Sequence, residues 1–465
     1  MSRTFQCRAV PNTWLEHNGR RLDCGPYMSG AIEAKELLKR HTTDILANVT
    51  EDIFNSGREG RIWVDSHEYG VPFMGSTAIL ASDLSSLPLI SKKQVASNPK
   101  FTIRKGWTLI TRSGTIGRMA YARPDMDGVA CSEDVMRVVP KEGVIKPGYL
   151  YAYLSSRFGV PIVVSGTYGA IIQHIEPHHI ANLPVPRLGI VEEQAHELVQ
   201  QAADLLSKHQ KNINDATRIF FESVGLNDIS TDDWHCVGSD IGFSTNSGEL
   251  NTLRALNFNP RFKSLCKKIM QGPWRWLSDI CVSGSLKRGG RYRRIEAEPE
   301  HSYLMVGQKQ IFWLRPEGRW IAKTYVDKEV VVEPGTILIA GAGTLADSEM
   351  YSRCEFIWGE ANNRAYSELF YRVLANEDLI QPGSLYAFMR SETAFRMLRS
   401  ISFGSKLQYP HPKFLPNLPI PYPPQEIREK THELMVTAYE MKDEAIKLED
   451  EAKLIVESAI EYGAR

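Results

Sequence analysis

Ser285-Leu286-Lys287-Arg288-Gly289-Gly290-Arg291-Tyr292-Arg293-Arg294 carries five basic residues in ten, two glycines and a tyrosine. A basic, glycine-containing loop can lie along phosphates, and arginine forks can reach guanine edges. The competing reading is a solvated surface turn. No acidic residue stands between Leu286 and Ile295, which favours DNA. Weaker candidates are Arg112, Ser113, Thr115 and Arg118 on a glycine-rich stretch, and Lys406 with Gln408 near the end of the chain. Gln173 and Gln408 occupy matching contexts. Glutamine pairs bidentately with adenine, and a shared turn hydrogen bond explains the match equally well.

Catalytic signatures are missing. The chain has no Gly-x-x-x-x-Gly-Lys-[Ser/Thr], no His-Glu-x-x-His and no Gly-x-Ser-x-Gly. Gly114-Thr115-Ile116-Gly117 is too short for a dinucleotide fingerprint and reads as a turn. Asn98-Pro99-Lys100-Phe101 and Asn259-Pro260-Arg261-Phe262 lack the second proline of an amino-methyltransferase motif. His174, His178 and His179 surround Glu176 without a nearby cysteine, which fits a loop better than a tetrahedral metal site. No catalytic residue, metal site or bound cofactor is expected in this chain. The seven cysteines form no Cys-x-x-Cys pair and read as isolated thiols of a reducing compartment. Formal net charge is zero, so any nucleic-acid surface must be a local patch. No apolar run approaches the roughly 18 residues that span a bilayer, and the first residues lack a signal-peptide core. The expected location is cytoplasmic, with no membrane partner.

The elements that would hold these residues occur twice. Ala181-Asn182-Leu183-Pro184-Val185-Pro186 returns as Pro416-Asn417-Leu418-Pro419-Ile420-Pro421. Pro147-Gly148-Tyr149-Leu150-Tyr151-Ala152-Tyr153-Leu154 returns as Pro382-Gly383-Ser384-Leu385-Tyr386-Ala387-Phe388-Met389, 235 residues later. That register holds from these helices through the proline strands. Before them Gly75 faces Gly307, and Gly106 faces Gly335. Each half then runs into a long helix with a heptad pattern. Leu198, Leu205, Asn212 and Ile219 mark one seam, accompanied by Ala195, Ala202, His209 and Ala216. Leu434, Met441, Leu448 and Ile455 mark the other, with Thr431, Ala438, Ala445, Ala452 and Ala459. The simplest partner for each seam is the other helix, antiparallel. The alternatives are its own globular half or another subunit. The expected fold class is α+β: two repeated globular domains (1–187 and 229–422) separated by two long antiparallel coiled-coil helices (188–228 and 423–465), related by a pseudo-twofold.

The order of these elements, twice over, resembles the specificity subunit of type I restriction-modification systems. The resemblance rests on the glycine-loop strand at 106–118, the helix at 147–154, the Tyr168-Gly169…Gln173 turn and the exit at 183–186, each with a second copy. It implies two target recognition domains, each reading one half of a bipartite double-stranded DNA site. The helices would act as spacers and dock methyltransferase subunits, with a restriction or translocase subunit as a further partner. S-adenosylmethionine would belong to the methyltransferase. The alternative is a scaffold of a phage-defence complex that leaves DNA reading to its partners.

Overall fold

The computed structural model describes residues 7–17, 20, 22, 24–165, 174–236, 243–246, 248, 252–326 and 330–463. Helices and mostly antiparallel strands form an α+β fold that divides into two compact units. One comprises Met1–Leu80, Leu87–Ser207 and Glu444–Arg465; the other comprises Ala81–Ser86 and Lys208–Asp443.

In the first unit the proline strand Pro184–Pro186 pairs antiparallel with Thr43–Ile45. A four-stranded sheet follows, in the order Thr50–Phe54, Val135–Pro140, Thr108–Thr111, Met119–Tyr121. Its central strand Thr108–Thr111 is buried along its whole length, as a strand covered on both faces must be. Gly106 opens that strand at φ 88°, a left-handed backbone that favours glycine. A second sheet orders Trp63–Val64, Leu89–Ser91, Gly70–Met74 and Ala130–Cys131, the last pair parallel.

The second unit repeats this plan. Pro419–Pro421 pairs antiparallel with Trp274–Trp276. The four-stranded sheet runs Lys287–Arg288, Phe370–Val373, Ile337–Ala340, Cys354–Phe356, the same order as in the first unit. Ser302–Val306 pairs antiparallel with Gly318–Ala322 and parallel with Ala365–Tyr366. Gly335, at φ 84°, opens the buried central strand.

The helices Pro147–Leu154 and Pro382–Met389 lie in the cores of their units, with nearly every residue buried. Proline at the first turn suits a helix start, where its missing N–H is no loss. Tyr149 and Tyr153 donate their hydroxyls to the carbonyls of Pro186 and Pro184. A proline strand cannot donate at those positions but still accepts, so the helix fastens the exit strand through carbonyls.

The long helices are Ile190–Ser223 and Gln425–Tyr462. In the first unit Ala195, Val199 and Ala203 share a core with Ala452, Val456, Ala459 and Ile460. In the second unit Ile213, Ala216 and Phe220 share a core with Met435, Ala438 and Tyr439. There His209 Nδ1 lies 2.9 Å from the Ala438 carbonyl, and Asn212 Nδ2 lies 3.9 Å from Met441 Sδ. The fully buried stripe is rotated from the expected seam. The small series Ala195, Ala202, His209, Ala216 and Thr431, Ala438, Ala445, Ala452, Ala459 is buried as expected. Leu198, Leu205, Asn212, Ile219, Leu434, Met441, Leu448 and Ile455 are only half-buried. Their places inside are taken one residue further on, by Val199, Leu206, Ile213 and Phe220, and by Met435, Glu449 and Val456. Among the described residues no helix is long and apolar enough to cross a membrane.

Candidate nucleic-acid interface

In the second unit the basic stretch starts as a sheet edge. Lys287 pairs with Arg372 and Arg288 with Tyr371. The Gly289 amide then donates to the Phe370 carbonyl at 3.2 Å. A Cβ on Gly289 would stand 3.0 Å from Arg372 Nη2, so glycine lets the chain pass close to that guanidinium. Lys287, Arg288, Arg291, Arg293 and Arg294 are all exposed. Arg288 places its guanidinium 5.1 Å from the centre of the Tyr409 ring. Arg294 is paired with Glu368 at 2.5 Å and lies near the Tyr292 ring. Burial opposes the Glu368 charge, yet hydrogen bonds, with Arg294 and Arg291 nearby, hold its carboxyl below the ordinary glutamate range.

The turn that carries Tyr409 is tied to the second glycine-rich loop. Gln408 N donates to the Gly343 carbonyl at 2.8 Å, and Gly343 N returns a bond at 3.3 Å. The Gln408 side chain is 5% exposed. It accepts from Arg254 at 2.6 Å and donates to the Ser405 carbonyl at 2.6 Å. The amide thus holds the turn together. Lys406, on the same turn, is exposed. The basic strand, Tyr409 and Lys406 are therefore anchored to one connected set of strands and turns. Gln173, the first-half counterpart of Gln408, lies outside the described residues.

In the first unit the glycine-rich loop is knitted inward. Arg112 is 13% exposed and pairs with Glu176. It also donates to the Ile175 carbonyl at 3.1 Å and to the Glu133 carbonyl at 3.2 Å. Ser113 Oγ donates to Asp134 at 2.5 Å. The Thr115 carbonyl accepts from Thr111, and Arg118 is half-buried with its amide bonded to Thr111 Oγ1 at 3.1 Å. Gly117 sits at φ 79°, where a Cβ would meet Val164 Cγ2 at 2.4 Å. These are the bonds of a tight, packed turn.

Other sequence features also have local roles. Asn98 and Asn259 accept from the amides of Lys100 (3.2 Å) and Arg261 (2.8 Å), so each Asn-Pro pair starts a helical turn. His179 Nδ1 accepts from the Glu176 amide at 3.1 Å, closing a capping box.

Three arrangements lay outside the sequence expectations, although His196 and His432, 236 residues apart, recur in the two long helices. His196 Nδ1 accepts from the Gly148 amide at 3.1 Å, and His432 Nδ1 accepts from the Gly383 amide at 3.1 Å. The same bond thus fastens each core helix to a long helix. In the second unit Arg390, 5% exposed, clasps Asp83 at 2.7 Å. Its Nη1 reaches Thr217 at 2.7 Å, while Gln210 Oε1 accepts from the Leu84 amide at 2.7 Å. Burial raises the cost of the Asp83 charge, but Arg390 and Ser85 outweigh it and hold the carboxyl far below the usual range. The first half has Ser155 where the second has Arg390, so the repeat gave no hint of the clasp.

No protein-family model matches the chain. Over 137 residues it is 30% identical to the type I restriction enzyme EcoBI specificity subunit of Escherichia coli. That match covers 29% of this chain and 28% of the relative, well under two thirds of the relative's length. The S subunit of a type I restriction-modification system from M. genitalium aligns over 90% of this chain and 95% of its own, at 12% identity and a TM-score of 0.31. The HsdS subunit from Thermoanaerobacter tengcongensis aligns over 91% and 97%, at 15% identity and a TM-score of 0.28. The similarity to type I specificity subunits implied by the sequence motifs is the one that the 137-residue match to the Escherichia coli relative returns.

Proposed function

We propose that this chain, similar to the type I restriction-modification specificity subunits, is the DNA-reading subunit of such a system or of a related methylation-based phage defence. The observation that carries the reading is the duplication: the same four-stranded order in both units, with an exposed basic segment leaving the outer strand of the second. Two similar readers on one chain suit a bipartite double-stranded DNA site. Linking them raises affinity only for sites whose spacing lets both engage.

In this reading each globular half is a target recognition domain. Ile190–Ser223 and Gln425–Tyr462 pair antiparallel as the ruler between half-sites and offer a surface to methyltransferase subunits. Support comes from the shared cores that pair alanine-rich stretches of the two helices. Methyl transfer, with S-adenosylmethionine, and any cleavage belong to partner subunits. Lys287, Arg288, Arg291, Arg293, Arg294 and Lys406 are the exposed candidates for DNA contact. Gln408 acts by shaping the turn that presents Tyr409 beside Arg288.

The test is charge reversal of Arg288, Arg291 and Arg293 together in the assembled complex. DNA retention should be lost while the complex stays intact. Unchanged retention would transfer the reading of DNA to the partners and leave this chain a scaffold.

A further inference from the structure

The repeated sheet allows the basic segment of the second unit to be located in the first. Lys287 pairs with Arg372 on the neighbouring strand. In the first unit the same edge is held by Thr50–Phe54, where Phe54 pairs with Arg137. Arg137 and Arg372 are equivalent: they are 235 residues apart, and each pairs with the residue three beyond the matched glycine, Leu109 after Gly106 and Leu338 after Gly335. Phe54 therefore stands where Lys287 stands. Continuing outward, Gly57 falls on Gly290, Arg58 on Arg291 and Arg61 on Arg294, each 233 apart. An ion pair checks the alignment independently. Arg61 pairs with Glu133 at 3.0 Å, and Arg294 pairs with Glu368 at 2.5 Å. Glu133 and Glu368 are 235 apart. Two different registers meet in one repeated contact.

The first-unit segment is a built loop. Asn98 Nδ2 donates to the Ser56 carbonyl at 3.0 Å and to Glu59 at 2.6 Å. Gln94 Nε2 donates to the Gly60 carbonyl at 2.6 Å, and its Oε1 accepts from the Ile62 amide at 2.9 Å. Gly57, at φ 75°, makes the bend. Glu59 is engaged by Asn98, and Arg61 is held by Glu133 and lies 5.0 Å from the Phe73 ring centre. Arg58 is exposed, and no ion pair to it is found among the described residues; the same is true of Arg291. Lys100 adds a second cation, 5.8 Å from the Phe54 ring centre. A pinned backbone with an arginine at its tip suits a phosphate contact, because the charge is presented with little ordering cost.

We propose that Gly57–Arg61, with Arg58 as the contacting side chain and Lys100, over the Phe54 ring, as a second cation, is the first unit's site for duplex DNA, the counterpart of Gly290–Arg294. This rests on the DNA-reading function proposed above. It moves the first unit's contact away from Arg112, whose guanidinium is engaged by Glu176 and two carbonyls.

The experiment measures affinity of the full chain for a mixed-sequence duplex across a salt series, for wild type, Arg58→Ala, Arg58→Lys and Arg291→Ala. Arg58→Ala and Arg291→Ala should each weaken binding about tenfold and lower the salt slope by about one. Arg58→Lys should keep the slope. Thermal unfolding of Arg58→Ala should match wild type, since that side chain is exposed. Wild-type affinity and slope for Arg58→Ala, with Arg291→Ala weakened, overturns this site and leaves the second unit a reader. If neither alanine variant weakens, the DNA-reading function falls with it.

Discussion

Replacing Gly383 by alanine tests the joint between a core helix and its long helix. A Cβ at Gly383 would lie 2.8 Å from His432 Nδ1 and 3.0 Å from His432 Cα and carbonyl oxygen. Two of those three neighbours are backbone atoms of a long helix, so they cannot swing aside. The Gly148 joint is equally tight, with His196 Nδ1, the His196 carbonyl and Val199 Cβ all at 2.9 Å. Overpacking of this kind costs about 1–3 kcal/mol. Pushing His432 away also loses its bond to the Gly383 amide, about 1 kcal/mol. Alanine's better helix propensity returns about 0.5–1 kcal/mol. The net expectation is a loss of about 1–3.5 kcal/mol for each variant, from these overpacking, hydrogen-bond and propensity ranges. Urea unfolding followed by tyrosine and tryptophan fluorescence reads this as an earlier transition in the affected half. His432→Asn should be milder than His432→Leu, because the asparagine oxygen can stand where Nδ1 accepts. If Gly383→Ala and Gly148→Ala both unfold at the wild-type midpoint, the close approach is not what holds these joints.

The same joints should be acid-sensitive. Burial lowers the pKa of His196 and of His432, assisted at His196 by Lys146, while Glu193 and Glu197 oppose it there and Glu377 and Glu433 oppose it at His432. A histidine depressed in the folded state is stabilising above its unfolded pKa of about 6.5, and that stability is lost as pH falls through the lower folded value. Unfolding midpoints measured from pH 7.5 downward should decline below about 6.5 in wild type and decline less in His196→Asn/His432→Asn. Arg390→Met should strand the Asp83 carboxylate; because that side chain is 29% exposed, the expected loss is about 2–3 kcal/mol, below that of a fully buried pair. Urea denaturation of Arg390→Met, and of Arg390→Met with Asp83→Asn, checks this, since the second change should restore part of the loss. If the long helices are the ruler proposed above, one whole heptad inserted in each adds roughly 10 Å, about three base pairs, and the spacer of the methylated sites should lengthen while the half-sites stay the same. A methylome with the original spacer would sink the ruler.

How legible the structure was depended on whether a feature is written in local chemistry. The proline strands, the Pro-Gly helices and the left-handed Gly106 and Gly335 are fixed by residues with few alternatives, and they appear as two copies in register. The edge strands were not legible as a pair. Phe54 and Lys287 share a place in the sheet but not a residue type, and the register between them is 233 rather than 235. Insertions between the edge strand and the rest of the sheet change the register without changing the hydrogen-bonded partner. Arg112 looked available because exposure cannot be read from a loop composition. Its three partners, Glu133, Ile175 and Glu176, come from two other segments of the chain.

The rotation of the helical stripe follows from what each long helix must cover. A seam that meets only another helix is narrow. A helix that also packs on globular structure needs an apolar stripe wider than about 100°. The additional face is visible in the bonds. His196 meets Gly148, Thr217 Oγ1 donates to the Ala387 carbonyl at 3.0 Å, His432 meets Gly383, and Tyr439 donates to Glu355 at 2.8 Å. All four lie one residue beyond the small series, on the side away from Leu198, Leu205, Leu434 and Leu448. Burial therefore shifts toward the globular contacts, and the leucines expected at the centre become its half-buried flank. A heptad count finds the period because alanine recurs every seven residues. It places the stripe one position off because polar residues such as His432, Thr217 and Tyr439 do part of the packing, through hydrogen bonds that a hydrophobic pattern does not record.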